Sequence, residues 1–262
     1  MKTILRWSGS KTRLLPDLLK SKPKNYERYV EPFAGSASLF FSIEPNEAIL
    51  GDLNTCVMEV YQAVRDDPTG VHETLCSIPK TKDAYYMLRG LSPSDLTRLQ
   101  RAARLIFLMK ACFNGVYRTN QLGQFNVPMG DKIYSLPSKE ELLIAQSLLQ
   151  RTQLYNQDFS KTTALCKPND WVYFDPPYKA VKRYRGEYGY ESKSHNVLFD
   201  ELVNDAQRLA EIGCYVTISY AFDEELIGKF CGWNFLHVNA RRSVSGSMKE
   251  RKLAKELIIQ NY

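Results

Sequence analysis

Strand-like and helix-like runs alternate along this chain, and this alternation restricts the fold more than any other feature. Apolar runs typical of buried strands occupy residues 28–31, 48–51, 171–174 and 215–219. Helical patterns between them occupy residues 36–43, 56–66 and 198–212. In the last pattern, Leu198, Leu202, Ala206 and Leu209 share one face. Strands that alternate with helices predict an α/β fold built on a parallel sheet.

The segment from residue 68 to 140 interrupts this alternation. A helical stretch at 95–110 is followed by the polar sequence FNGVYRTNQLGQFNVPMG at 113–130. We therefore predict that residues 1–67 and 141–262 form the main domain. Residues 68–140 would form a smaller, mainly helical inserted subdomain.

The chain is basic, with a formal net charge of +6, which favours a polyanionic partner without proving one. Residues 237–262 resemble two strands joined by a basic loop, which predicts a β-hairpin that closes the sheet. The loop region carries Arg241, Arg242, Lys249 and Arg251. These side chains suit phosphate contacts or, equally, a solvated charged turn.

Cysteine and histidine give no sign of a metal site. The six cysteines and three histidines are scattered, without a C-x-x-C pair or a zinc-like spacing. No apolar run approaches the roughly 20 residues that a membrane-spanning helix needs, and the first residues do not resemble a signal peptide. We expect a cytoplasmic protein, monomeric in solution, with reduced cysteines and without metal.

The first candidate site is the small-residue segment EPFAGSAS at 31–38, which leaves a strand and enters a helix. Small side chains allow a ligand to approach the backbone, and Gly35 can adopt a positive φ. Asp52 ends the next strand, where a carboxylate suits the ribose hydroxyls of a nucleotide-like ligand. Taken alone, the segment fits an ordinary strand-to-helix turn equally well.

The second candidate is Asp175-Pro176-Pro177-Tyr178, which directly follows the apolar run WVYF. Ligands bind at the carboxyl ends of strands in open α/β sheets. Two prolines fix φ and remove two N–H donors, so the loop is stiff and presents acceptors. A plain surface turn is the alternative interpretation.

Such acceptors suit methylation of an exocyclic amine, whose lone pair is delocalised into the ring. The Asp175 carboxylate and the Pro176 carbonyl could each accept one N–H, and Tyr178 could stack on the base. Catalysis would then rest on positioning and electrostatics, without prior deprotonation of the amine.

Two further segments are weaker signals on their own. LRWSGSK at 5–11 combines an aromatic residue, glycine and lysine that could fold over a charged ligand, although a disordered leader is the default for a terminus. In the 113–130 segment, Arg118 could read a guanine edge and Val116 could contact a thymine methyl group. Solvated loop chemistry explains that composition as well.

In this order the segments resemble the Dam-type (class alpha, D12) N6-adenine DNA methyltransferases. The motifs that carry the resemblance cover nearly the whole chain: LRWSGSK, EPFAGSASLF, GDLN at 51–54, FNGVYRTNQLGQFNVPMG, NQDF at 156–159, YFDPPY at 173–178 and ISYA at 218–221. The resemblance implies a Rossmann-like methyltransferase sheet, S-adenosylmethionine as cofactor and double-stranded DNA as partner. It further implies flipping of the target adenine, and GATC is our predicted target sequence.

The resemblance also implies roles for individual residues. The main domain would bind S-adenosylmethionine and carry out catalysis, and the 68–140 subdomain would recognise the target through a β-hairpin. Catalytic residues would be Asp175, Pro176, Pro177 and Tyr178. Cofactor contacts would come from Trp7, Lys11, Phe33, Ala34, Gly35, Ser36, Ala37, Asp52, Asp158, Phe159 and Asp175. DNA contacts would come from Phe113 as a wedge, Asn114, Val116, Arg118, Asn120, Asn126 and Pro128.

Three positions depart from the family pattern. Ala37 stands where many relatives have a second glycine, which affects the detailed contacts of that loop. Asp131 stands where some relatives place a basic residue, which bears on the recognition sequence. The late motif reads I-S-Y, with Tyr220 where many relatives have asparagine.

Alternative functions remain open at this point. A methyltransferase acting on cytosine N4, an RNA base or a protein glutamine needs the same two acceptors. A DNA-binding relative that has lost catalysis belongs to a different class, and the intact Asp175–Tyr178 motif argues against it. A nicotinamide oxidoreductase is disfavoured because a full G-x-G-x-x-G motif is missing.

Overall fold

The computed structural model describes residues 1–131, 134–178, 195–241 and 253–262. The strands in these residues are β1 (Tyr29–Glu31), β2 (Ala48–Asp52), β3 (Thr152–Asn156), β4 (Trp171–Phe174), β5 (Tyr215–Ala221), β6 (Asn234–Arg241) and β7 (Leu253–Gln260). They form one sheet in the order β3-β2-β1-β4-β5-β7-β6. Strands β1 to β5 are parallel, and β7 lies antiparallel between β5 and β6. The predicted α/β fold is confirmed.

The helices connect these strands and cover the sheet. They are α1 (Leu15–Lys20), α2 (Ser38–Ile43), α3 (Thr55–Asp66), α4 (Pro68–Cys76), α5 (Lys82–Gly90), α6 (Arg98–Ala111), α7 (Lys139–Leu149), α8 (Phe159–Thr163), α9 (His195–Glu211) and α10 (Glu224–Lys229). Side chains at several helix starts accept backbone N–H groups that have no partner inside the helix. Asn54 does so for α3, and capping boxes begin α6 and α7.

Both faces of the parallel part of the sheet are buried. Tyr29 and Trp171 pack on one side in a cluster that includes Phe107 of α6. Val172 packs on the other side with Leu209 of α9. Successive strand side chains point to opposite faces, so a parallel sheet covered on both sides needs the continuous apolar runs seen in the sequence.

Two local features differ from the sequence-based expectation. The helix expected from residue 36 begins at Ser38, because Gly35 and Ala37 adopt left-handed conformations with φ of 44° and 48°. The strand β3 was not predicted, because TQLYN contains no apolar run. β3 lies at the edge of the sheet and is half-exposed, so polar residues are accepted there.

The predicted C-terminal hairpin is confirmed by the antiparallel pairing of β6 with β7. Its connection, residues 242–252, lies outside the described residues and includes the basic candidates Arg242, Lys249 and Arg251. No helix in the described part of the chain is both long and apolar enough to cross a membrane.

The segment predicted as an insertion contains α4, α5 and α6, followed by two isolated antiparallel bridges, Cys112↔Met129 and Thr119↔Phe125. α6 packs against α3, and α4 packs against α7. Apolar side chains of these helices belong to the same cluster as one face of the sheet. The segment therefore shares its core with the main domain, and its status as a separate recognition subdomain stays a prediction.

Candidate active site

The site lies where the strand order reverses. The chain proceeds from β1 to β2 and β3 on one side of the sheet, then returns to β4 and β5 on the other side. The loops after β1 and β4 therefore diverge and leave a crevice at the carboxyl ends of these strands. A cleft of about 650 Å³, partly open to solvent, occupies this position. It is lined by Trp7, Ser8, Gly9, Ser10, Lys11, Glu31, Phe33, Ala34, Gly35, Ser36, Ser38, Asp52, Asp175, Pro176, Pro177 and Tyr178.

The loop after β1 needs glycine at position 35. Gly35 has a φ of 44°, and a Cβ atom there would lie 2.9 Å from Cδ1 of Trp7. The Tyr61 hydroxyl donates a hydrogen bond of 2.6 Å to the Gly35 carbonyl, which fixes the turn from behind. Ala37 also has a left-handed backbone, with a φ of 48°, which costs more for alanine than for glycine because of its Cβ atom. The alanine that stands here in place of the family's second glycine therefore carries local backbone strain.

Asp52 holds the same loop through its carboxylate. Its Oδ2 accepts the Gly35 N–H at 2.9 Å, and its Oδ1 accepts the Asn54 N–H at 2.8 Å. Asp52 is only 2% exposed, yet it lines the cleft. Each carboxylate oxygen has a second lone pair, so Asp52 can order the loop and still accept a hydrogen bond from a ligand.

Asp175 forms a partly buried ion pair with Lys11, although 164 positions separate them in the sequence. Burial raises the pKa of Asp175, and the Lys11 ammonium opposes part of that rise. Burial, the largest single influence, would lower the pKa of Lys11, but Asp175, Tyr173 and Glu256 together outweigh it, so this pKa is raised. Ser219 adds a weak hydrogen bond to Asp175 Oδ1 at 3.4 Å. The Lys11 contact therefore favours the ionised carboxylate, although burial keeps the pKa of Asp175 above its ordinary value.

Tyr178 completes the loop after β4. Its ring lies 5.0 Å from that of Tyr220, and the Lys11 ammonium lies 4.7 Å from its centroid. Its hydroxyl donates a 3.2 Å hydrogen bond to Oε2 of Glu256 on β7. These contacts bring Tyr178 to the same sheet edge as Asp175.

The N-terminal segment is folded over the cleft. The terminal ammonium donates a 2.7 Å hydrogen bond to the Phe41 carbonyl. Trp7 is 8% exposed and stacks on Tyr117 at a centroid distance of 4.9 Å. A short 3₁₀ helix at Lys11–Arg13 follows it. The interpretation of these residues as a disordered leader is therefore wrong.

Comparison with known proteins gives the family. Residues 7–244 match the profile of the D12 class N6 adenine-specific DNA methyltransferases. The chain belongs to this family. The family and the enzyme class predicted from the motifs are thus confirmed, and the protein is an adenine-specific DNA methyltransferase.

Relatives align along almost the entire chain. The type II methyltransferase M.MjaIII of Methanocaldococcus jannaschii is 30% identical over an alignment 289 positions long, which covers 100% of this chain and 99% of the relative. The retron Ec67 DNA adenine methylase of Escherichia coli is 30% identical and covers 98% and 90% of the two chains. The DNA adenine methylase of Haemophilus influenzae is 26% identical and covers 97% and 91%.

Phe159 and Asp158, which the D12 resemblance assigns to the cofactor, are not among the residues that line the cleft. Phe159 is 3% exposed and stacks behind Phe33 at 5.1 Å, so Phe33 is the ring that lines the cleft. Asp158 is the N-cap residue of α8, where its carboxylate accepts the Ser160 N–H at 3.0 Å, and it is not among the residues that line the cleft. A ligand in the cleft would therefore meet Phe33 first.

Glu31 is a cleft residue to which the sequence interpretation gave no role. It ends β1, is 3% exposed and accepts a 2.9 Å hydrogen bond from the Tyr29 hydroxyl. Burial raises the pKa of Glu31 well above its ordinary value. Its position at a strand end, directly before the small-residue loop, is the sequence signal that could have identified it.

The predicted DNA contacts of the D12 pattern share the outer face of one loop. Along residues 114–120 every second side chain is buried, and Asn114, Val116, Arg118 and Asn120 fall at the more exposed positions. Phe113 is 48% exposed, and Asn126 and Pro128 on the returning segment also reach solvent. Residues 116–120 thus have the alternation of an extended segment, whereas Asn114 precedes them in a short 3₁₀ turn with a φ of 55°.

Proposed function

We propose that this D12-class enzyme uses S-adenosylmethionine, bound in the cleft, to methylate N6 of an adenine flipped out of duplex DNA. The observation that carries the proposal is the meeting of two loops at one sheet edge. The small-residue loop after β1, held by Asp52, faces the Asp175–Tyr178 loop after β4. A ligand site and an amine-acceptor site thus share one cleft.

The residues of the cleft suit a cationic methyl donor. Glu31, Asp52 and Asp175 contribute carboxyl groups, whereas Lys11 contributes an ammonium that is paired with Asp175. S-adenosylmethionine, when bound, supplies an electrophilic methyl group on a positive sulfonium. We assign its methionine part to Trp7, Lys11 and the 33–37 loop, its ribose to Asp52, and its adenine to Phe33 with Phe159 behind and Asp158 nearby.

The chain's own residues would act on the target amine by position and charge. Asp175 would accept one N6–H and the Pro176 carbonyl the other, so that the nitrogen lone pair points towards the methyl group. The N6–methyl bond would form as the sulfur–methyl bond breaks, leaving a neutral thioether, and positive charge would move from sulfur to N6 until N6 loses a proton to solvent. The Asp175 carboxylate is placed to stabilise that charge. Pro177 keeps the loop stiff, and Tyr178 provides a surface on which the flipped base can stack.

Recognition is assigned to the outer face of the 113–130 loop. Phe113 would fill the gap left by the flipped base, Asn114 would contact phosphate, and Arg118 would read a guanine in the major groove. Asn126 accepts a 2.8 Å hydrogen bond from Arg118 Nε, which supports a preset arginine geometry. We propose GATC as the target sequence, on the strength of the D12 resemblance.

Transfer of a labelled methyl group to duplex DNA, matched RNA and protein tests this function. We expect label only on duplex DNA, at adenine N6, and none on duplexes that already carry N6-methyladenine in the target. A 2-aminopurine in place of the target adenine should brighten on binding, because flipping removes base stacking. Label on cytosine or RNA would favour the other amine methyltransferases, and DNA binding without cofactor binding would indicate an inactive relative.

We predict that Arg118→Ala relaxes discrimination at one base pair of the target. Loss of a two-pronged arginine–guanine contact costs roughly 1–3 kcal/mol at that position. Relative kcat/KM on duplexes with single base-pair changes measures the effect. Asn126→Ala should reproduce part of it, because Asn126 holds the arginine.

Arg241→Ala provides the comparison for Arg118. A contact to phosphate carries no sequence information, so its loss weakens binding to every duplex by the same factor. The Arg241→Ala variant should therefore lower kcat/KM uniformly across the panel of duplexes. If Arg118→Ala also lowers kcat/KM by the same factor on every duplex, Arg118 positions the DNA and does not read a base.

A further inference from the structure

Glu256 brings a second carboxylate to the active-site edge of the sheet. Strand β7 runs antiparallel to β5, so its first residues lie beside the carboxyl end of β5. The register pairs Glu256 with Ala221, the last residue of β5. A residue near the end of the sequence therefore lies next to the loop that follows β4.

The contact that Glu256 makes there is with Tyr178. The phenol hydroxyl donates a 3.2 Å hydrogen bond to Oε2 of Glu256. The ring of Tyr178 also packs against Tyr220 at 5.0 Å and lies under the Lys11 ammonium at 4.7 Å. The ring is therefore restrained both at its hydroxyl and along its body, which limits its rotation.

The Glu256 carboxylate interacts with both charges of the ion pair: it helps to raise the pKa of Lys11, to which it is attracted, as well as that of Asp175, which repels it. The effect on Asp175 arises because two nearby negative charges disfavour each other. A carboxylate suits the hydrogen bond to the Tyr178 hydroxyl, because a charged acceptor makes a stronger hydrogen bond than a neutral one.

We propose that Glu256 is a positioning residue that fixes the Tyr178 ring for stacking on the target adenine. This role rests on the proposed function, in which Tyr178 receives the flipped base. Glu256 acts through the phenol hydroxyl and does not touch the substrate. Because the ring is already fixed, binding of the flipped base does not incur the loss of side-chain conformational entropy that ordering the ring would otherwise cost.

Three variants test the role: Glu256→Ala, Tyr178→Phe and the double variant. We expect each single change to lower the single-turnover rate of methyl transfer by about tenfold and to reduce the 2-aminopurine signal. The dissociation constant of S-adenosylmethionine, measured by calorimetry, should stay within about twofold. Because both changes break one hydrogen bond, the double variant should be no slower than the slower single variant.

Two control variants, one conservative and one distant from the cleft, accompany these three variants. Glu256→Gln retains an acceptor oxygen and should recover most of the rate lost in Glu256→Ala. Glu211→Ala, an exposed carboxylate at the end of α9, should behave as the parent. Thermal melting of every variant separates loss of rate from loss of fold, and Tyr178→Phe probes the same bond without changing β7.

Two results would overturn the role of Glu256. One is a Glu256→Ala rate and 2-aminopurine signal equal to those of the parent protein. The other is multiplication of the two single losses in the double variant, which would show independent effects. An inactive parent on duplex DNA would overturn the proposed function and this role with it, whereas an active parent with either result above overturns this role alone.

Discussion

Replacing Asp175 with alanine is expected to slow methyl transfer by about 100- to 1000-fold, the usual loss when one preset electrostatic contact is removed. The target amine would keep the backbone acceptor but lose the carboxylate that orients its other N–H. Most of the cofactor affinity should remain, because the loop after β1 and Asp52 are unchanged. Single-turnover transfer with saturating cofactor and duplex DNA measures the rate, and calorimetry measures the affinity.

Two controls make the Asp175 result specific. Asp200→Ala, which removes an exposed carboxylate on α9, should leave the rate unchanged. In the parent protein the rate should fall as the pH drops through the pKa of Asp175, because the protonated carboxyl group is a weaker acceptor. Burial raises this pKa, so the loss should occur above the ordinary range of aspartate. An Asp175→Ala rate within tenfold of the parent would disprove the catalytic assignment.

Replacing Asp52 with alanine is expected to weaken cofactor binding by about 10- to 100-fold, in keeping with the loss of one or two charge-assisted hydrogen bonds. Two effects combine in this loss. The ribose hydroxyls would lose their acceptor, and the buried Gly35 and Asn54 N–H groups would lose theirs. The rate at saturating cofactor should change little, because the carboxylate acts equally in the ground and transition states. Calorimetric titration with S-adenosylmethionine measures the affinity.

Asp52→Asn refines this prediction. Both carboxylate oxygens accept backbone N–H groups, whereas an amide has only one acceptor oxygen, so asparagine would present an NH₂ group to one of the two donors. We therefore expect this nearly isosteric change to weaken cofactor binding as well. The unfolding free energy should fall by about 1–3 kcal/mol, because one buried donor is left without its partner. Unchanged cofactor affinity in both variants would show that Asp52 is not a ribose ligand.

Much of this protein follows from local sequence. The apolar runs at β1, β2, β4 and β5 specify buried parallel strands, because only such strands need side chains that are apolar on both faces. The Asp175–Tyr178 motif follows one of these strands directly, so its place at the sheet edge could be inferred without coordinates. The order of the motifs was also sufficient to indicate the D12 family, and the C-terminal hairpin was recognisable from two strand-like runs. Each strand and each motif is encoded by a few neighbouring residues, and the family follows from the order of these motifs along the chain.

The partners inside the cleft were decided by the tertiary structure alone. The sequence does not indicate that Lys11 pairs with Asp175, that Trp7 stacks on Tyr117, or that Glu256 holds the Tyr178 hydroxyl. The edge strand β3 and the buried position of Phe159 behind Phe33 were likewise not predictable from local pattern. These contacts depend on the order of the strands and on the register of β7 against β5, which bring together residues that are distant in the chain. Hydrophobic periodicity specifies which face of an element is buried, but it contains no information about which distant side chain lies opposite.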